Sequence, residues 1–194
     1  MKTNKTEQRF LTSAALTRME GEGNERKFTL SFSSEEPYQR WWGLEILDHA
    51  EGAADLTRLN EIGVVLYNHN RDAVIGKILR AWIEDERGCA EIEFDADEES
   101  EIIYQKVKNG TLKGVSVGYS IDNIEEVLAG KQSSDGRFTG PCEIARKWTP
   151  FEISIVSVPA DGTVGVGRAA EQADAAPLDI AERRLQINQN LIRR

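Results

Sequence analysis

Apolar and polar positions alternate with period two through much of the first 160 residues, the signature of half-buried strands. In KFTLSFSS (27–34), Phe28, Leu30 and Phe32 share one side. RWWGLEILDH (40–49) predicts a strand with irregular flanks, and DLTRLNEIG (55–63) a short turn or helix. VVLYNHN (64–70) is a strand running into a polar turn. AVIGKILRAWIEDERG (73–88) and CAEIEFDA (89–96) predict a hairpin turning at Glu86-Arg87-Gly88, with Ala90, Ile92, Phe94 and Ala96 inward. In TLKGVSVGYS (111–120) and the residue after it, Val115, Val117, Tyr119 and Ile121 form a core face, while Gly114, Ser116, Gly118 and Ser120 lie opposite. KWTPFEISIVSVPA (147–160) is the last strong strand, its regular part bracketed by Pro150 and Pro159.

One segment breaks this rhythm. DEESEIIYQKVKNG (97–110) has acidic residues in its first turn, lysines in its last, and Asn109-Gly110 to stop it. That charge order suits a helix dipole, and Ile102, Ile103 and Val107 supply its apolar stripe. GKQSSDGRFTGP (130–141) is a loop. Residues 1–25 are polar and expected to be loosely ordered. Residues 163–177 have linker composition, and 178–194 predict a helical tail with Leu178, Ala181, Leu185 and Ile192 on one side and Asp179 able to cap. The main domain is therefore 26–162. Its class is α+β and β-rich: a curled or barrel-like, mostly antiparallel sheet with one main helix over about 97–109 and a C-terminal tail helix.

Composition narrows the function classes. At 194 residues the chain can bury a sizeable core without disulfide or metal. A net charge of −9 argues against a general nucleic-acid or anionic-membrane binder. No apolar run approaches the roughly 20 residues that span a bilayer. MKTNKTEQRF lacks a signal-peptide core. Cys89 and Cys142 have neither metal nor redox spacing, so a reduced, cytoplasmic setting is expected. Two histidines without a His-Glu-x-x-His pattern predict no metal site. GTVGVG (162–167) lacks a following helix, so no cofactor is expected either.

Nucleophilic catalysis remains. A serine hydroxyl attacks only when a positioned base takes its proton, and that base needs an orienting partner. Ser116 sits among glycines, His69 ends a strand, and Glu152 starts one. Each has an ordinary structural explanation: close packing, a bonded turn histidine, a solvated carboxylate. Their order changes the reading. VVLYNHNRDAVIGKI, then EESEIIYQKVKNGTLKGVSVGY, then FEISIVSVPAD, resembles the tailed-phage prohead protease family over about 28–162. That family joins an Asn-His or Asp-His strand end, a helix leading to Gly-x-Ser-x-Gly-aromatic, and Glu-x-Ser-x-Val-x-x-Pro-Ala. It is similar to the herpesvirus assemblins, serine peptidases of barrel-like fold.

The resemblance implies that Ser116 is the nucleophile, His69 the general base and Glu152 the third member. His49 is the rival third member, because assemblins use a second histidine there. Asp72 is a further rival, and Ser120, Ser154 and Ser157 are alternative hydroxyls. Glycines beside Ser116 would admit a peptide carbonyl, with the N–H groups of Val117 and Gly118 as oxyanion donors. Arg146 or Lys147 would assist or be solvated loop charges. The implied function is a phage prohead serine endopeptidase. It would cleave the scaffolding segment of the major capsid protein and itself, as a homodimer if assemblin habits hold. Its place is the host cytoplasm, inside the procapsid, with no nucleic-acid or membrane partner. The tail arginines, Arg183, Arg184, Arg193 and Arg194, are candidates for docking to scaffold or capsid protein. The alternative is a non-catalytic scaffold or capsid-assembly module of the same fold.

Overall fold

A computed structural model describes residues 5–11, 16–21 and 23–158 of the chain. The linker and tail helix predicted over 163–194 lie outside the described residues, as does Pro159. The strands are β1 (Lys5–Leu11), β2 (Thr17–Arg18), β3 (Lys27–Ser34), β4 (Tyr38–Arg40), β5 (Gly43–Leu47), β6 (Val64–Tyr67), β7 (Asn70–Glu84), β8 (Arg87–Phe94), β9 (Gly114–Val127) and β10 (Cys142–Val156). Among the described residues two helices interrupt them, α1 (Thr57–Ile62) and α2 (Glu98–Lys108). The sheet runs β1-β9-β10-β6-β7-β8-β3-β2, and β4-β5 attaches to β10. Pairing is antiparallel except where β10 runs parallel to β5 and to β6. The sheet curls into a half-barrel, so that β3 packs back against β9 and β1.

Alternation explains the curl. Val115, Val117, Tyr119 and Ile121 of β9 all face the interior, as expected, where Phe28, Leu30, Phe32, Ile92, Ile153 and Ile155 complete the core. Burying a side chain of this size contributes about 1.5–3 kcal/mol. Trp148 is enclosed among them. Its Nε1–H donates to the Asp48 carbonyl at 2.8 Å, and its ring meets those of His49 and Tyr119 edge-on. α2 closes one end. Asp97 accepts from the N–H groups of Glu99 and Ser100 as the N-cap, and Gly110 (φ 71°) takes the left-handed conformation after the helix.

The structure departs from expectation in five places. The β7–β8 hairpin turns at Asp85-Glu86, both at positive φ, and Gly88 pairs with Ile83 inside the ladder. This is the two-residue turn whose twist matches a hairpin. Ala96 lies past the end of β8 and is exposed. On α2 the third inward residue is Tyr104, whose hydroxyl reaches the Glu25 carbonyl; Ile102 is exposed. β10 begins at Cys142 and passes through Pro150, where a bulge between Pro150 and Glu152 absorbs the missing N–H. Residues 5–11, expected to be loosely ordered, pair with Val115–Ile121 of β9, Phe10 opposite Ser116.

Candidate active site

His69 reaches its place through a turn. β6 and β7 are joined by two residues, Asn68 and His69, at φ 52° and 57°. This is the left-handed pair that a tight hairpin demands. Asn and His both adopt it more readily than most residues, at a cost of about 1 kcal/mol. Three bonds to β10 and the residue after it hold the turn. The Asn68 N–H donates to the Ile155 carbonyl at 2.9 Å, and the His69 N–H to Ser154 Oγ at 3.2 Å. Asn68 Oδ1 accepts from the Ser157 N–H at 2.9 Å.

Ser116 and Glu152 come from neighbouring strands. The β9–β10 register sets Ser116 opposite Ser154 and Gly118 opposite Glu152. The four residues therefore share one face, and the His69 ring lies over it. His69 Nε2 is 2.7 Å from Ser116 Oγ, and Nδ1 is 2.6 Å from Glu152 Oε1. A carboxylate has no proton to give, so Nδ1–H donates to Glu152. In the neutral ring Nε2 is then the acceptor for the Ser116 hydroxyl. The second carboxylate oxygen accepts from Ser154 Oγ–H at 2.7 Å. Ser154 thus bridges the carboxylate and the backbone of the histidine turn.

Gly118 has a specific task here. A methyl carbon built on it would sit 2.7 Å from a Phe151 ring carbon and closer still to Glu152 Oε1. The expectation that the glycines clear space for a peptide carbonyl is thus revised at Gly118: its missing side chain makes room for the carboxylate. Nor does an oxyanion site at Val117 and Gly118 emerge. β1 and β10 flank β9 at both positions, so their N–H groups point into the ladders. Ser116 and Ser154 are wholly buried, and the His69 side chain is 11% exposed.

The rivals are engaged elsewhere. His49 is buried with Nε2 2.7 Å from Ser33 Oγ and Nδ1 2.9 Å from the Leu47 carbonyl. Asp72 is exposed on β7. Ser157 contacts Asn68, and Ser120 lies two residues past Gly118 along the face. Arg146 joins Asp48, Glu125 and Asp135, and Lys147 donates to the Gly52 carbonyl. Burial pushes the Asp48 carboxyl up, but the Ala50 N–H, Arg146 and Arg137 outweigh it and hold the group below its usual range. Arg146 first, then Ser133 and Arg137, hold the Asp135 carboxyl far lower. The bridging role of Ser154 was not anticipated, although the spacing in Glu-x-Ser already puts both side chains on one face of a strand. A second buried network, Arg40 and Tyr119 on Glu45, also lacked any local signal.

A hydroxyl bonded to one ring nitrogen, with a carboxylate on the other, is the arrangement by which serine hydrolases make an alkoxide-like nucleophile at neutral pH. Residues 45–177 match the profile of the caudovirus prohead serine proteases, and the chain belongs to that family. Over 147 residues, 74% of its length, it is 39% identical to the major capsid protein of Halomonas phage phiHAP-1. That stretch is 23% of the relative, so the chain spans about a quarter of the curated protein it matches. Its fold is similar to that of the bacteriophage T4 capsid assembly protease, with a TM-score of 0.47 and 10% identity, covering 79% of this chain and 99% of the other.

Proposed function

We propose that the protein is a serine endopeptidase of phage head maturation, with Ser116 as nucleophile, His69 as general base and Glu152 as the group that orients and charge-stabilises His69. The observation that carries this reading is the unbroken hydrogen-bond chain Ser116–His69–Glu152. In the first step Nε2 takes the Ser116 proton as Oγ bonds to the substrate carbonyl carbon. The imidazolium then gives that proton to the departing amine, leaving an acyl-enzyme. Water, deprotonated by the same nitrogen, releases the acid and restores the hydroxyl. Because Ser116 is wholly buried in the resting chain, a carbonyl reaches it only after the groups over it withdraw. Activation is therefore a conformational step.

The substrate proposed is the scaffolding segment of the major capsid protein, together with the chain itself, inside the procapsid in the host cytoplasm. The matching stretch in the phiHAP-1 protein supports it: there, protease-like sequence and a capsid name belong to one polypeptide. A scaffold module without activity would have no use for a histidine held between a hydroxyl and a carboxylate. The test is co-production with the cognate capsid protein, comparing wild type with Ser116→Ala by intact mass. Discrete products from the wild type alone support the proposal. Identical masses in both, or equal trimming of both, sink it.

A further inference from the structure

A cavity of about 520 Å³ opens on the sheet face that carries the triad. Glu152 forms part of its wall, so it begins where the reacting groups end. Val64 and Leu66 of β6, Val74 of β7 and Phe151 of β10 supply its apolar lining, and Ser120 and Thr149 add two hydroxyls. Beside them stand two cations, Arg58 of α1 and Arg71, the second residue after His69. Both are exposed, and among the described residues neither guanidinium takes a hydrogen bond or an ion pair. That sets them apart from Arg26, Arg40, Arg80, Arg137 and Arg146, each of which meets a carboxylate. In a chain of net charge −9 the overall field repels anions, so two free guanidiniums on one cavity form a local exception. Glu152 offsets one of these two charges and still leaves the lining with one positive charge in excess. Its two oxygens are turned to His69 and Ser154.

We infer that this cavity is a substrate side-chain pocket that selects an acidic residue at one fixed position near the scissile bond. The apolar lining takes the aliphatic stem, and the arginines take the carboxylate, whose two oxygens match guanidinium donors. The assignment rests on the peptidase reading but is tested so that the two can fail separately. The wild-type chain is incubated with a peptide library of random sequence, and cut sites are mapped by mass spectrometry. The expected result is Asp or Glu enriched at a single position, lost in Arg58→Glu/Arg71→Glu. Turnover of an acidic peptide should fall about tenfold more in that variant than turnover of its Gln- or Asn-substituted counterpart. Cutting without acidic enrichment, or enrichment that survives the double charge reversal, overturns the pocket and leaves the peptidase standing.

A binding arm needs no catalysis. Ser116→Ala should bind a fluorescein-labelled extended peptide bearing one Glu more tightly than its Gln counterpart, by anisotropy at low salt. Adding the two reversals should abolish the difference. Equal binding of the two peptides overturns the inference even if no cleavage is ever seen. Arg58→Gln/Arg71→Gln, which removes the charges without inverting them, should lie between wild type and the reversal in both arms. Should the reversal fail to fold, this milder variant decides: a preference unchanged from wild type refutes the pocket.

Discussion

Gly118→Ala adds a single methyl group two residues along β9 from Ser116, yet it should disable the site. The new carbon would lie 2.7 Å from the Phe151 ring and nearer to Glu152 Oε1. Ordinary contact needs about 3.5 Å, so the carboxylate must withdraw by about 1 Å. The bond from His69 Nδ1, now 2.6 Å, would then pass the limit of about 3.2 Å for a useful hydrogen bond. Misplacement of that size costs about 10²-fold in rate, and complete loss of the orienting carboxylate about 10⁴-fold in related chemistry. This corresponds to a barrier higher by about 3–5 kcal/mol. The overpacking itself should cost about 1–3 kcal/mol of stability. The assay is turnover of a processed peptide, with urea unfolding alongside to separate folding from catalysis. A folded Gly118→Ala protein working within threefold of wild type would refute the account of why a glycine stands there.

Four further outcomes follow from the same geometry. His69→Gly relieves the left-handed strain at φ 57° but strips the buried Glu152 Oε1 of its donor, so these opposed effects should leave a modest net change in melting temperature; activity should vanish and return in part with added imidazole, whereas activity that persists without imidazole would contradict the role of the ring. Ser154→Ala should lower kcat about tenfold with KM within twofold, since it frees Glu152 Oε2 and the His69 N–H; an unchanged kcat would remove Ser154 from the positioning network. Arg146→Met leaves Asp48 to Arg137 alone and should cost about 2 kcal/mol in urea unfolding, below the full price of a broken buried pair. The Asp48 and Asp135 carboxyls sit below their unfolded values, so the stability they lend is present at neutral pH and drains as pH falls below about 4; that acid slope should be shallower in Arg146→Met, and an identical slope would contradict the linkage.

Much of the fold was legible because alternation is a local property. The core face of β9 follows from counting by twos, and the ends of α2 follow from its charges and Asn109-Gly110. The misplaced features depend on things a strand pattern does not carry. The Asp85-Glu86 turn is set by backbone twist, and the choice of Tyr104 over Ile102 is set by what α2 packs against. Passage of β10 through Pro150 needs a bulge that only its partner strand reveals. The three candidate residues follow from the resemblance to the prohead protease family, since each alone has an ordinary structural explanation. That Glu152 rather than His49 meets His69 Nδ1 came from register, since Gly118 opposite Glu152 is a fact of pairing between distant segments. Composition could not show that a glycine was needed for the carboxylate rather than for the substrate.

On the proposed reading Ser116 Oγ, and no other hydroxyl, is the nucleophile made reactive by His69. A fluorophosphonate probe applied to the processing-competent protein, followed by peptide mapping, tests it most directly. One covalent adduct should form, on Ser116, absent from His69→Gly and much reduced in Gly118→Ala. An adduct on Ser120, Ser154 or Ser157, or labelling of Ser116 that is indifferent to the loss of His69, would contradict it.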